Sequence, residues 1–94
     1  MNKYEILYIL SAGLDDAVRE AAIDKFKAVV TAGGGEIENV DKWGVKKLAY
    51  PINYKSEGFY VLMTFASKPE IPAEIERLMR ISDEVMRFLV IRKD

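Results

Sequence analysis

The side chains in this 94-residue chain that could do chemistry are few in kind. Histidine and cysteine are both absent. That removes the commonest general base, thiolate nucleophiles, disulfides and the two leading zinc ligands, and leaves carboxylates, lysines, tyrosines and hydroxyls. Two carboxylate pairs, Asp15 with Asp16 and Glu74 with Glu76, have the composition of an acid/base dyad or a cation site. Each falls in the expected first turns of a helix, where negative charge complements the helix dipole, so solvated helix-start charges account for them. Ser11, Thr31, Ser56, Thr64, Ser67 and Ser82 have no imidazole to activate them, and no G-x-S-x-G elbow is present. The glycines of "TAGGGE", residues 31–36, follow a helical pattern and lead into a strand pattern. A phosphate-cradling loop needs the reverse order and a GK[ST] that is missing, so the run reads as a helix stop.

What remains is chemistry of binding, and it concentrates in "WGVKKLAYPI", residues 43–52. Lys46 and Lys47 are adjacent, so on a strand they point to opposite sides unless a bulge reorients one. They read either as a solvated pair or as phosphate contacts. Trp43 reads either as core filling or as an amphipathic interface anchor. Fourteen basic against fifteen acidic side chains leave a net charge of −1, so overall charge does not argue for nucleic acid and any footprint must be local. The chain is expected to be a binding module rather than an enzyme, with no cofactor, no metal and no small-molecule substrate.

The elements that must position these residues follow from hydrophobic period. Half the residues are hydrophobic and nearly a third charged, which suits one folded domain spanning 1–94. The opening "MNKYEILYIL" is too short and too interrupted by Glu5 for a leader or a membrane span, so a cytoplasmic protein without a membrane partner is expected. Residues 3–10 read as a strand ending at "SAG". Asp15 and Asp16 open a helix in which Val18, Ala22, Phe26 and Val30 recur every four residues, and the glycine run ends it. Residues 36–52 read as a long strand broken or bulged at Gly44, "NYKSEG" as a turn, and residues 59–65 as its hairpin partner. Ile71, Ile75, Leu78 and Met79 mark a second helix after Pro69 and Pro72, and residues 86–92 a final strand.

The order β-α-β-β-α-β predicts an α+β, ferredoxin-like sandwich: a four-stranded antiparallel sheet with two helices on one face. Strand alternation assigns Ile6, Tyr8, Leu10, Val61, Met63, Phe65, Phe88 and Val90 to the helix-facing core, joined by Phe26, Val30, Ile75 and Met79. The opposite parity gives Glu5, Leu7, Ile9, Tyr60, Leu62, Thr64, Arg87, Leu89 and Ile91 on an uncovered face. That face is unusually apolar, as a contact surface is. Three readings of it stay open on the residues alone. An RNA-recognition motif stacks bases on open-face aromatics, but here Tyr8 has core parity and Tyr60 stands where "EGFYVLMTF" would need a small residue. A homo-oligomeric regulatory module would pair the face with itself, giving weak self-association of the isolated chain. A small phosphatase of the acylphosphatase type would need a phosphate loop after the first strand, and none is visible.

The stretch "W-G-x-K-x-L-A-Y-P-I" resembles the hallmark of the bacterial small-subunit ribosomal protein six family. "YEI" at residues 4–6, "YVLM" at 60–63 and "DEVMRFLVIR" at 83–92 extend the likeness over essentially the whole domain. Asn2 departs from the basic residue frequent there. The resemblance implies a ferredoxin-like structural constituent of the ribosome, binding small-subunit ribosomal RNA of the central domain together with ribosomal protein eighteen. In that setting Trp43, Leu48, Tyr50, Pro51, Ile52, Tyr60, Leu62 and Leu89 are expected to meet the partner protein. Lys3, Lys46, Lys47, Lys55, Arg80, Arg87 and Arg92, basic residues expected around that surface, are expected to meet RNA phosphates. A near-neutral chain would then depend on a basic partner for most of the electrostatic attraction.

Overall fold

A strand that is apolar on both parities needs cover on one side and something to occupy the other, and the first strand sets this problem for the whole molecule. The computed structural model describes residues 1–52 and 55–93, with Ala49, Pro51 and Ile52 described through their backbone alone. The elements are β1 (Asn2–Ser11), α1 (Asp16–Ala32), β2 (Glu36–Ile52), β3 (Lys55–Ser67), α2 (Glu70–Ile81) and β4 (Val85–Arg92). The strands form one antiparallel sheet in the order β2-β3-β1-β4. The fold is therefore the expected ferredoxin-like sandwich, with β1 and β3 central and β2 and β4 at the edges.

Both helices pack on the parity predicted for the core. Ile6, Tyr8, Leu10, Val61, Met63 and Phe65 of the central strands are buried with Phe26, Val30, Ile75 and Met79, while Phe88 and Val90 on the edge strand pack against them partly buried. Val18, at the start of the row spaced by four, is 43% exposed, and Ile23 is buried together with Ala22, Phe26 and Val30. Rows of residues four apart wind around a helix axis, so a stripe of three such steps drifts off the sheet at one end. The helix stop forms as read, with amides of Gly33, Gly34 and Gly35 donating to the carbonyls of Val29, Thr31 and Val30 and Gly34 at φ +82°.

The carboxylate pairs resolve into surface ion pairs. Asp16 accepts from Arg19 at 2.8 Å, and Glu74 accepts a bidentate pair from Arg77, which holds the Glu74 carboxyl below its usual range. Glu74 lies beyond the first turn of α2, whose first-turn acid is Glu70.

One core residue carries a defect. The Tyr8 ring packs edge-on against Phe26 at 5.5 Å, yet its buried hydroxyl has no hydrogen-bond partner among the described residues. Burial first, then the carboxylates of Glu20 and Asp24, pushes its ionisation well above the ordinary phenol value of about 10. The unfolded chain can ionise this phenol at lower pH than the native state can, so stability should fall as pH rises through about 10. Tyr8→Phe is expected to raise stability by about 1 kcal/mol at neutral pH and to remove that alkaline component. Denaturant unfolding at pH 7 and pH 11 measures both; a destabilised phenylalanine variant would mean that the hydroxyl is satisfied in solution.

The hairpin of β2 and β3 is longer than expected. Of the turn expected over residues 53–58, Lys55, Ser56, Glu57 and Gly58 belong instead to β3, with pairing running out to Ile52 opposite Lys55, and Asn53 and Tyr54 lie outside the described residues. β1 ends at Ser11 opposite Gly58, so the hairpin projects past the end of the central strand. Pro51 lies in an edge strand, where a missing amide donor is tolerated.

Candidate functional site

The open sheet face is built by register. On β1 and β3 the pairs Leu7 with Leu62 and Ile9 with Tyr60 share this face, and on β4 Arg87 lies opposite Ile9 and Leu89 opposite Leu7. Leu89 is 56% and Ile91 43% exposed. Leu7, Ile9, Arg87, Phe88 and Leu89 line a shallow depression of about 280 Å³.

On β2 a bulge decides which residues join this face. Pairing passes from Lys42 opposite Val61 to Gly44 opposite Tyr60, so Trp43 is the extra residue and Gly44 takes φ +88°, where glycine is favoured. Before the bulge, Lys42 points to the helices and reaches Glu20 of α1 at 2.6 Å. At the bulge the indole turns onto the open face. It lies 6.2 Å from the Tyr60 ring and 9° from parallel, and its Nε1–H donates to Asp41 at 3.0 Å. Beyond it, Lys46 opposite Gly58 returns to the open side with its ammonium 5.1 Å from the indole centroid, and Lys47 opposite Glu57 lies on the other side. The adjacent lysines are thus divided by the sheet, and Trp43 is an exposed, positioned aromatic rather than core filling.

Ile9 lies on the open face as its parity requires, yet it is only 8% exposed. Gly58 gives it room: a Cβ there would collide with the Ile9 side chain and touch Leu48 Cδ2 at 3.5 Å, so Ile9 and Leu48 both close on this bare stretch of backbone. Leu48 is half-buried, while Tyr50 stands clear at 77% exposed. The open face therefore carries Trp43, Tyr60, Leu62, Leu48 and Leu89 as one apolar and aromatic surface continuing toward Tyr50. Pro51 and Ile52 share the hairpin, but their side chains lie outside the described residues.

The basic residues do not form one cluster. Lys46 and Arg87 sit on the open face. Lys3 is at its rim, ion-paired with Glu38 at 3.5 Å, and Lys93 nearby pairs with Glu5 at 3.5 Å. Lys55 reaches the buried Ser11 hydroxyl at 3.4 Å at the base of the hairpin. Arg92 ends β4 opposite core-facing Tyr4. Arg80 stands apart: it occupies the last turn of α2, in the helix layer, 4.0 Å from Glu76 and over the Phe88 ring. Its charge favours the helix C-terminus there, and it is not at a strand end on the rim.

The face lacks the stacking arrangement of an RNA-recognition motif. Tyr8 is fully buried, and Phe59 turns to the helix side, where the Arg19 guanidinium lies 4.2 Å from its ring centroid. Among the described residues no group of three histidines, cysteines or carboxylates is placed to hold a metal, and no helix is long and apolar enough to cross a membrane.

Comparison with known proteins agrees with this architecture. The family model described as ribosomal protein S6 matches residues 3–92. The small ribosomal subunit protein bS6 of Clostridium novyi is 52% identical over all of this chain and 99% of its own length. Its counterpart in Caldanaerobacter subterraneus subsp. tengcongensis is 51% identical over the same shares. The crystal structure of 30S ribosomal protein S6 from Thermotoga maritima matches with a TM-score of 0.91 at 26% identity, covering 98% of this chain and 87% of that one. A match that runs the length of the domain in sequence and in fold leaves one conclusion: the chain belongs to the bacterial ribosomal protein S6 family.

Proposed function

We propose that the protein is a non-catalytic structural constituent of the small ribosomal subunit in the cytoplasm, binding central-domain ribosomal RNA together with ribosomal protein eighteen. The observation that carries this reading is the combination of full-length family membership with a preformed, solvent-facing apolar and aromatic surface. A patch of this kind on a monomer marks a contact site. Trp43 and Tyr60 supply rigid aromatic area, Leu48, Leu62 and Leu89 extend it, and Tyr50 carries it out along the hairpin that also holds Pro51 and Ile52. Aromatic anchors with a polar tip are the residues that dominate such interfaces.

Phosphate contacts fall to the basic side chains at the edges of this surface. Lys46 and Arg87 flank the apolar strip, Lys55 and Lys47 follow the hairpin, and Lys3 and Arg92 mark the opposite end of the sheet. Arg80 belongs to the helix layer and would meet RNA only if the RNA wrapped that side. With a net charge of −1, the chain contributes a few local contacts rather than a broad basic field, and the partner supplies the rest.

The test is a titration of the reconstituted complex of central-domain RNA and ribosomal protein eighteen at several salt concentrations. Lys46→Ala with Lys47→Ala is expected to weaken binding uniformly across RNA sequences. If both are contacts, it should flatten the salt slope by roughly two units, about one per lost phosphate contact. Unchanged affinity and slope would make the pair a solvated surface.

A further inference from the structure

The two edges of the sheet are not alike. β2 is blunted by the Trp43 bulge, by Lys42, Lys46 and Lys47, and by Pro51, the devices that keep an edge from recruiting another strand. β4 has neither lysine nor proline between Val85 and Arg92, and Phe88 to Ile91 is an unbroken apolar run. Among the described residues, β4 pairs with β1 alone. The Lys93 amide donates to the Lys3 carbonyl at 2.9 Å, which fixes the alternation of the ladder. Ile91, Leu89 and Arg87 bond inward to β1, and the backbone groups of Phe88, Val90 and Arg92 point outward.

The charge along this edge is antisymmetric. Asp83 and Glu84 precede the strand, and Arg92 and Lys93 end it. An antiparallel copy reverses that order. With Phe88 opposite its own copy, the outward-bonding residues meet one another, and the Met86 irregularity shifts the far end by one place. Asp83 and Glu84 of each chain then come alongside Arg92 and Lys93 of the other. Moving the register by one such pair carries Asp83 and Glu84 away from Arg92 and Lys93 and loses the match. A self-complementary patch of this kind is what a two-fold interface requires.

We propose that free copies of this protein pair through β4, antiparallel and centred on Phe88, joining two sheets into one of eight strands. This goes beyond the ribosomal reading and does not depend on it. The contact is short and one strand deep, so the dimer belongs to the weak, concentration-dependent class. Its two symmetry-related charge clusters set the register.

Sedimentation equilibrium of the full chain over a wide concentration range, at low salt, tests the proposal. The wild type is expected to move reversibly between monomer and dimer. Asp83→Lys alone and Lys93→Asp alone are each expected to weaken dimerisation by roughly tenfold, because each inversion creates two like-charge contacts. The double variant Asp83→Lys with Lys93→Asp should regain most of the loss. Thermal unfolding of each variant confirms that the chain is folded; Asp83 is exposed, so its replacement leaves the core intact. A wild type that stays monomeric would overturn the proposal, as would growth past the dimer or single variants that pair as well as wild type. A double variant no better than the singles would also overturn it.

Discussion

Gly58→Val is expected to destabilise the isolated domain by about 3 kcal/mol, the upper part of the range for overpacking a filled site. The reason lies on the open face. Gly58 is buried where the hairpin crosses the end of β1, and any Cβ there runs into the Ile9 side chain with Leu48 close behind. The chain must either move Ile9 or lift the hairpin. If the hairpin lifts, Leu48 leaves its seat and Tyr50 is no longer aimed with it, so binding of the protein partner should weaken in the same variant. Gly13→Ala is the control, since a Cβ there meets nothing within 4 Å, and it should stay within about 0.5 kcal/mol of wild type. Denaturant unfolding of both variants decides the point. A Gly58→Val protein as stable as wild type would mean that the Ile9 side chain does not close over Gly58 in solution.

Tyr50→Ala separates interface from core at the residue that most invites the question. A tyrosine flanked by Leu48 and Pro51 in an apolar strand could be core, and truncating a buried aromatic costs about 3 kcal/mol or more of folding free energy. At 77% exposed, Tyr50 has little folded-state contact to lose, so the change is expected to leave stability within about 0.5 kcal/mol. Its effect should appear in binding, with a loss of about 2 kcal/mol or more against ribosomal protein eighteen if Tyr50 is a hot spot. Unfolding and titration of the same preparation give both numbers. A variant that is destabilised yet binds normally when folded would remove Tyr50 from the docking surface.

The parts of this structure legible in the sequence are those set by short-range period. Alternation in β1 and β3 gave the core side of the sheet because Ile6, Tyr8, Leu10, Val61, Met63 and Phe65 sit in central strands, where every second residue must meet the helices. Turn chemistry marked the end of α1 through its glycines. The misreadings have long-range causes. Lys55 to Gly58 looked like a turn because they are polar and end in glycine, yet they continue β3 beyond the end of β1, where solvent removes the need for alternation. The low exposure of Ile9 on its open face was not legible either, because it closes over Gly58, distant in sequence, with Leu48 also close to that glycine.

The candidate site was legible in its residue types but not in its arrangement. Trp43, Lys46 and Tyr60 were recognisable as binding chemistry, and Gly44 as a break. Only the register shows that the extra residue is Trp43 itself, which turns the indole onto Tyr60 and divides Lys46 from Lys47. Strand position alone cannot give this, because one inserted residue reverses the side of everything after it. Arg80 shows the complementary error: a basic side chain near the sequence of β4 that the fold places in the helix layer.

The central claim is that this chain works as a part of the small ribosomal subunit, and sedimentation of a native cell extract tests it most directly. Fractions across the gradient, probed for this protein at moderate salt, are expected to show it with the small subunit and with the full ribosome. The Trp43→Ala, Tyr50→Ala double variant, folded by its unfolding curve, is expected to shift toward the top of the gradient. A wild-type protein found only in the free pool, with no small-subunit fraction at low or moderate salt, would contradict the account.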